Sequence, residues 1–433
     1  MTKNTVFMRD EIRQWRKEEL VSEQQAKLLL ERYPTESDGM DWGRVVPTAA
    51  GVVIFGLGVI LFFAYNWADM HRFVKLAFIG TSLIAAHATA VWFGHQDRRQ
   101  WVLSESLHLL GTLLFGAGIW LIAQIYHIDE HYPNAFLLWS VAALSLAWMI
   151  PSRMHALLAL ALAFLWGCFE IFDFNEAQHP ANWLVAFGVI PLAIILRSNI
   201  ILFFSIAIFT LLHAFSLVNI EDDLVFPVLI MLASAMLAVA YLLPNESSFR
   251  PADILRRIGL FIWIVLVFIG TFAELEIAAL ASLPSEPMNW LYWGLPTALA
   301  IITWAWVLAT TVRQQTVNRQ IEAAAVLTVM LTVLLISIGG KGWSGVEWIL
   351  FNLAFLVVGG VTLSRGLTEL RWTLTALGTA MLATIVFARF MDLFDSLLAR
   401  SAAFVVTGIV LFLIGQLYNR RKRQLVEAEQ ADV

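Results

Sequence analysis

The stretch LLGTLLFGAGIWLIAQIYHID, residues 109–129, decides the fold class of this chain. It carries no charged residue from Leu109 to Tyr126, and the surrounding apolar run extends over 103–125. A helix rises 1.5 Å per residue, so about 20 apolar residues cross a hydrocarbon core of about 30 Å. The stretch therefore predicts a membrane-spanning helix, which ends where polar and acidic residues begin.

The composition of the whole chain supports a membrane protein. Of its 433 residues, 59% are hydrophobic and 14% are charged, with a mean hydropathy of +0.74. So few charges cannot cover a globule of this size, and lipid is the expected partner of much of the surface. A net charge of −5 gives no basic excess and argues against a nucleic-acid partner. The single cysteine, Cys168, excludes an intramolecular disulfide and a multi-cysteine metal site.

The same length criterion, applied along the whole chain, predicts an all-α, polytopic transmembrane bundle of about fourteen spans. No cleavable signal peptide is visible, because the first apolar run begins only near Val45. Two junctions, at 151–154 and 197–199, are so short that they predict close hairpins or a re-entrant segment. The candidate spans are 45–65, 72–93, 103–125, 134–150, 154–172, 181–196, 199–219, 224–243, 255–279, 290–312, 322–339, 345–363, 371–390 and 398–417.

Loop charges predict the orientation, because Lys and Arg are retained on the cytoplasmic side of a membrane. With the N-terminus inside, the cytoplasmic segments hold 23 of the 28 Lys and Arg residues. The opposite loops, which read HIDEHYP, DFNEAQHP, NIEDD, ASLPSEP and MDLFDS, contain neither Lys nor Arg. We therefore expect an even number of spans, with both termini in the cytoplasm.

Residues 1–44 predict a small cytoplasmic module followed by a linker. Apolar residues at helical spacing indicate a first helix, and Ser22 with Gln25 forms the pattern of a capping box that opens a second. Pro34 ends that second helix. A helical hairpin of this length cannot bury a core alone, so residues 8–33 are expected to pack on the membrane domain, on a second copy or on a partner protein.

An internal repeat marks the first membrane unit, residues 45–150. Residues 49–69, which read AAGVVIFGLGVILFFAYNWAD, align without gaps on residues 109–129. Four of the aligned positions hold the same glycine or aspartate in both segments. The glycines at 51, 58, 111 and 118 lie on one helical face and predict close helix packing. The remaining bundle spans 151–417, and 418–433 is a basic and then acidic cytoplasmic tail.

These phrases resemble a known family. FGLGVILFFAYNW, FGAGIWLIAQIYHI and the preceding Trp/Ser-Glu-Gln-Gln/Tyr hairpin are similar to the bacterial predicted membrane protein family called domain of unknown function 2157. The resemblance covers about residues 8–150, and the tail is similar to the ends of related uncharacterised membrane proteins. It implies a bacterial inner membrane protein and no particular activity.

Candidate site residues on the repeat lie at two ends of one span. Asn66 aligns opposite Tyr126, and with Gln124 and His127 it could rim a polar pocket at the outer membrane face. The alternative is an interfacial belt, in which aromatic residues are enriched. At the cytoplasmic end of the span, Glu105 and His108 are three residues apart and share a face.

A second constellation lies at the last outer loop, ARFMDLFDSLLAR at 388–400. Arg389 and Arg400 depart from the positive-inside trend, and two guanidinium groups can hold a carboxylate or a phosphate in bidentate fashion. Alternatively, Asp392 and Asp395 neutralise them locally and each arginine extends to the interface.

The sequence predicts no metal and no cofactor. His127 and His131 have the spacing of zinc ligands, but Pro133 follows closely and the segment is leaving its helix. His87 and His213 each stand alone on an apolar stretch and read as core or interface histidines. Glu170 is expected near an outer helix end, where solvation would account for it.

Three functional hypotheses remain open, none of them decided by a motif. Walker A, HExxH and GxSxG patterns are absent, so recognised ATPase and hydrolase chemistry is not indicated. Pro191, Pro227 and Pro296 interrupt middle spans, as in secondary transporters, and the arginines suggest a small or lipid-linked anionic substrate. A non-enzymatic assembly or sensing protein that docks through residues 8–33 is the first alternative. A membrane-embedded enzyme with a periplasmic site is the second.

Overall fold

In the computed structural model, the described residues form helices joined by turns and short loops, with no strand among them. The chain forms two compact units, Met1–Ala135 and Phe136–Val433. The described residues are 11–16, 20–32, 71–96, 100–128, 131–176, 180–220, 224–272, 290–310, 315–339 and 346–393, with isolated positions at 8, 18, between 46 and 61, and between 405 and 420.

The first unit opens with the predicted helical hairpin. Residues 11–16 are helical, and α1 spans Glu23–Arg32. The Ser22 backbone N–H donates to Gln25 Oε1 at 3.0 Å, and the Gln25 N–H donates to Ser22 Oγ at 3.2 Å. This reciprocal pair confirms the capping box, which satisfies two N–H groups that the first turn of α1 leaves without helical partners.

The apolar part of the first unit is an antiparallel pair, α2 (Arg72–Gln96) and α3 (Trp101–Tyr126). Small side chains bring the two helices together. A Cβ at Gly111 would lie 2.5 Å from His87 Nε2, and one at Gly118 would lie 2.9 Å from Ile79 Cγ2. The packing role predicted for the glycines is confirmed at these two positions. At Gly51 and Gly58, no described atom lies within 4 Å of the corresponding Cβ positions.

The second unit contains the other helices. It begins at Phe136, inside the first of them, α4. These helices are α4 (Pro133–Met149), α5 (Arg153–Phe172), α6 (Ala181–Trp183), a π-helix (Leu184–Val189), α7 (Ile190–Ile195), α8 (Asn199–Ile220), α9 (Val225–Leu242), α10 (Pro251–Ile269), α11 (Trp290–Thr310), α12 (Val317–Gly339), α13 (Val346–Thr368) and α14 (Trp372–Leu393).

Two buried clusters hold the second unit together, and α9 contributes to both. One cluster joins α9 to α10, α11, α12 and α13 and includes the fully buried Trp263 and Trp304. The other joins α4, α5, α7 and α8 to α9 through Leu232 and Met236. Thirteen of the eighteen residues of α9 are buried, so this helix is the centre of the unit rather than a lipid-facing helix.

The described helices confirm a helical membrane protein, which is a coarser statement than the predicted number of spans. Nine of the described helices are long and apolar enough to cross a membrane, and α4 and the segment Ala181–Ile195 are shorter apolar helices. Each predicted span from 72–93 to 371–390 overlaps a described helix. The spans at 45–65 and 398–417 lie largely outside the described residues, so the count of about fourteen stays a prediction, as does the orientation.

Candidate functional site

A broken helix at Ala181–Ile195 is the irregular element of the second unit. It begins as α6, widens into the π-helix Leu184–Val189 and continues as α7, with Pro191 at its second position. The Ile190 N–H donates to the Val185 carbonyl, five residues back, which is the π pattern. π-Turns inside α-helices are rare, and those that occur are often found at functional sites.

The sequence explains why the helix widens at this place. Pro191 has no N–H to donate, and in a regular α-helix its ring would press on the carbonyl four residues earlier. The π-turn inserts one residue before the proline and relieves that contact. The neighbouring helix α4 also contacts the backbone of the widened segment, since Trp148 Nε1 donates to the Gly188 carbonyl at 3.1 Å. Broken helices are tolerated in membranes where neighbours satisfy the backbone in this way.

Asn182 lies directly before the π-helix and is completely buried. Neither its amide oxygen nor its amide nitrogen has a hydrogen-bond partner among the described residues. A buried amide without partners costs about 1–3 kcal/mol by mutational measures. Such a group is unfavourable in an apolar bundle, and it is the kind of side chain that a polar ligand would satisfy.

Two further buried polar groups lie on α8, which packs against α6 and the π-helix. His213 and Ser216 are both 0% exposed and, three residues apart, share one face of α8. His213 Nε2 lies 2.7 Å from the Tyr292 carbonyl oxygen, which can only accept, so Nε2 carries the proton. In the neutral ring, Nδ1 is then an acceptor, and it has no partner among the described residues, nor has Ser216 Oγ.

The ring of Tyr292, on α11, contacts both α8 and the broken helix. It stacks on His213 with ring centroids 5.6 Å apart, and it lies 6.2 Å from the ring of Trp183, the residue next to Asn182. The broken helix, α8 and the start of α11 therefore meet around Tyr292. We call Asn182, His213 and Ser216 the broken-helix site.

Glu170 on α5 belongs to the same neighbourhood, and the expectation that solvent surrounds it is wrong. Its side chain is 6% exposed, and Trp166 Nε1 donates to its Oε1 at 2.9 Å. Trp166 packs with Ala181 of the broken helix and Leu212 of α8 in one apolar cluster. The carboxylate is buried because these apolar neighbours close over the last turn of α5. Buried ionisable groups in membrane helices are functional candidates.

The predicted outer-face pocket is described only in part. Asn66 lies outside the described residues, and Gln124 and His127 are both exposed. α3 ends at Tyr126, and His127 takes a left-handed conformation with φ of 51°, so it does not extend the helical face of Gln124. The segment thus leaves its helix before His131, as the sequence indicated. A pocket formed with Asn66 stays a prediction.

Glu105 and His108, the pair predicted at the cytoplasmic end of the span, differ in their surroundings. His108 is buried, and its Nδ1 lies 3.0 Å from Nδ1 of His87 on α2, while Glu105 is partly exposed. One ring donates and the other accepts, and Gly111 leaves the space that the His87 ring occupies. The interpretation of His87 as an interface histidine is confirmed. The partner of His108 across the two helices could not be read from spacing along one helix.

Arg389 is the described member of the two-arginine constellation. Its guanidinium lies over the rings of Phe272 and Trp348, at 5.1 Å and 5.6 Å, and donates to Thr271 Oγ1 at 3.4 Å. Cation–π contacts of this kind hold an arginine against aromatic side chains. Asp392 is described as a helical backbone position only, and Asp395 and Arg400 lie outside the described residues. The anion clamp of Arg389 and Arg400 therefore stays a prediction.

Sequence reasoning did not single out Asn182 or Ser216. Pro191 was the available signal, since it marked this span as interrupted, and a polar residue within ten positions of such a proline could have been weighted. Ser216 lies one turn after His213, and together they form a polar pair on a largely apolar helix. Their convergence with the broken helix depends on packing between helices that are distant in sequence.

Comparison with known proteins gives one family match, in the first third of the chain. Residues 13–156 match the model of the family described as predicted membrane protein (DUF2157). The resemblance read from the repeated glycine-rich phrases is thus confirmed over this range. No curated protein and no solved structure matches the chain. The DUF2157 region includes the His87–His108 pair and ends before the broken-helix site.

Proposed function

We propose that this membrane protein is a secondary transporter or translocator with its substrate site at the broken helix. The observation that carries the proposal is the buried amide of Asn182, at the start of a π-interrupted helix, for which the described part of the chain supplies no hydrogen-bond partner. Transporters place binding sites where helices are discontinuous, because the interrupted backbone and nearby polar side chains can contact a substrate there.

The neighbouring groups support a polar substrate. His213 Nδ1 offers a lone pair, Ser216 Oγ can donate or accept, and Asn182 does both. Glu170 adds a buried ionisable group near the same helix, which suits coupling to a proton or another cation. Arg389 supplies a cation held by Phe272 and Trp348, and the small or lipid-linked anionic substrate favoured by the sequence stays part of the proposal.

Cysteine accessibility tests this function without knowledge of the substrate. In a Cys168→Ser background, Ser216→Cys places a thiol at the site with little change in volume. The matched control is Ser140→Cys on α4, where the serine is equally buried but donates to the Ala159 carbonyl at 2.8 Å. Membrane-impermeant thiol reagents are applied from each side of sealed vesicles.

Alternating access predicts that Ser216→Cys is labelled from both sides, because each conformation opens the site to one side. Ser140→Cys should remain unlabelled until the protein is denatured. If Ser216→Cys is also protected from both sides, and both cysteines react after denaturation, the site is static packing and the proposal fails.

A second candidate function, assembly through residues 8–33, rests on the exposed apolar side chains of the hairpin. Leu20 and Leu28 are 68% and 67% exposed, whereas Ile12 and Ala26 are buried. We expect Leu28→Lys to abolish chemical cross-linking of the hairpin to a partner or to a second copy in membranes. Unchanged cross-linking, or none in the wild type, contradicts this candidate.

A further inference from the structure

A buried charge cluster joins three helices of the second unit, separate from the broken helix. Glu322 on α12 has a side chain that is 5% exposed, and it pairs with Arg256 of α10. Arg365 of α13 lies 3.7 Å from the same carboxylate oxygen. The side chains of Arg256 and Arg365 are 13% and 19% exposed, so one carboxylate is shared by two largely buried arginines.

Arg319 brings a third cation to this cluster. It lies one turn before Glu322 on α12, in the electrostatic field of Arg256, Arg365 and Glu322. Its guanidinium carbon is 5.9 Å from the ring centre of Tyr241, whose hydroxyl donates to the Arg319 carbonyl at 3.0 Å. Within the described part of the chain, no carboxylate lies within ion-pair distance of Arg319. It is stacked in place without a neutralising partner.

The charges of the cluster do not balance. Glu369, at the end of α13, contacts both Arg365 and Arg371, at 3.2 Å and 3.6 Å. Arg371 is 56% exposed and solvated, so among the described residues the guanidinium groups of Arg256, Arg319 and Arg365 face the carboxylates of Glu322 and Glu369, which leaves an excess of one positive charge. Partly buried cations without counter-charges are costly, because little water remains to solvate them.

We propose that Arg256, Arg319 and Arg365 form a binding site for a phosphate group, either of a free anion or of an anionic lipid headgroup. Guanidinium groups bind phosphate oxygens through paired N–H donors, and stacking of Arg319 on Tyr241 fixes the direction of its donors. Glu322 orients Arg256 and Arg365 and sets how many charges remain for the ligand. The site lies at the helix ends that the loop charges predict to be cytoplasmic, where anionic lipid headgroups and soluble phosphates are both present.

Thermal unfolding of the full-length protein in neutral detergent tests the site. Inorganic phosphate is titrated at constant ionic strength with chloride, and mixed micelles containing phosphatidylglycerol are compared with phosphatidylcholine. The variants are Arg319→Gln, which removes the charge, and Arg319→Lys, which retains it without the planar donors. Arg257→Gln is the matched control, because Arg257 is the next residue after Arg256 and is exposed.

At a phosphate concentration about 100 times the dissociation constant, the wild type and Arg257→Gln should gain about 3 °C in Tm. Arg319→Gln should need at least about tenfold more phosphate for the same shift, since a charge-assisted hydrogen bond is lost. Arg319→Lys should fall between them, which separates loss of binding from misfolding.

Two outcomes support the site and identify its ligand. Stabilisation by inorganic phosphate indicates a soluble anion, and stabilisation by phosphatidylglycerol alone indicates a lipid headgroup. The proposal is overturned if neither raises Tm beyond chloride, or if Arg257→Gln loses as much of the shift as Arg319→Gln.

Discussion

Buried carboxylates in this protein are expected to contribute more to stability than exposed carboxylates nearby. Glu322 is 5% exposed between Arg256 and Arg365, whereas Glu369 is 40% exposed and contacts Arg365 and Arg371. Removing one partner of a buried ion pair leaves a charge that neither water nor protein compensates. An exposed pair loses little, because solvent screens it.

We therefore expect Glu322→Gln to lower the free energy of unfolding by about 3 kcal/mol. Glu369→Gln should cost less than about 1 kcal/mol. Thermal denaturation of both variants beside the wild type, in the same detergent, measures the difference. Equal losses in the two variants would show that burial of Glu322 does not decide its contribution.

Asn182 predicts a gain in stability on substitution, which is the reverse case. Asn182→Leu replaces an unpartnered buried amide with an apolar group of similar size and should raise stability by about 1–3 kcal/mol. Ser140→Ala is the control: it removes a satisfied hydrogen bond and should cost about 1 kcal/mol. Thermal denaturation measures both. A destabilised Asn182→Leu would mean that the amide is satisfied in the folded protein.

Residue by residue, the sequence predicted contacts within one helix or turn better than contacts between helices. Ser22 and Gln25 are three positions apart, so their spacing alone predicts the capping box. His87 and His108 come from different helices, and spacing along a helix carries no information about such a pair. The expectation that Glu170 is solvated was wrong for the same reason, because the aromatic and apolar groups that bury it include residues of other helices.

Among the elements, the pair α13 and α14 shows the closest helix approach around small residues. A Cβ at Gly378 would lie 2.7 Å from the Leu363 Cα and 2.9 Å from the Gly359 carbonyl oxygen. These are backbone atoms, which cannot move aside as a flexible side chain would. Small residues permit such close packing of membrane helices.

Gly378→Ala should therefore force α13 and α14 apart and cost about 3 kcal/mol or more. Gly360→Ala on α13 is the matched control, since no described atom lies within 4 Å of its Cβ position. It should be neutral or stabilising by up to about 1 kcal/mol through helix propensity. Thermal denaturation monitored by circular dichroism compares them. A tolerated Gly378→Ala would mean that the two helices can separate at no cost.

The elements themselves were largely predictable, because the length of apolar runs and the loop residues between them define membrane helices. The interruption within Ala181–Ile195 was foreseen only as a proline effect at Pro191. Its form, a π-turn supported by Trp148, depends on the neighbour that satisfies the Gly188 carbonyl. That neighbour is forty residues away in sequence.

For the whole molecule, the path of the chain across the membrane depends on the broken helix. The segment Ala181–Ile195 is shorter than a regular span, so it either crosses or returns to the side from which it entered. Asn175 lies in the loop before it, and Ser247 lies in the loop after α9. If the segment crosses, three helices separate these two exposed residues, and they lie on opposite sides of the membrane.

We expect single cysteines at Asn175 and Ser247, in the Cys168→Ser background, to be labelled from opposite sides. The loop of Asn175 contains acidic residues and no Lys or Arg, whereas Arg250 closely follows Ser247, so Ser247→Cys should react only from the cytoplasmic side. Labelling of intact cells and of inverted vesicles with an impermeant thiol reagent distinguishes the sides. Labelling of both cysteines from one side would make the broken helix re-entrant. The segment that carries the buried Asn182 would then enter and leave the membrane on the same side. That arrangement is incompatible with an even number of crossings as counted from the sequence, and the proposed cytoplasmic N-terminus and C-terminus could not both stand.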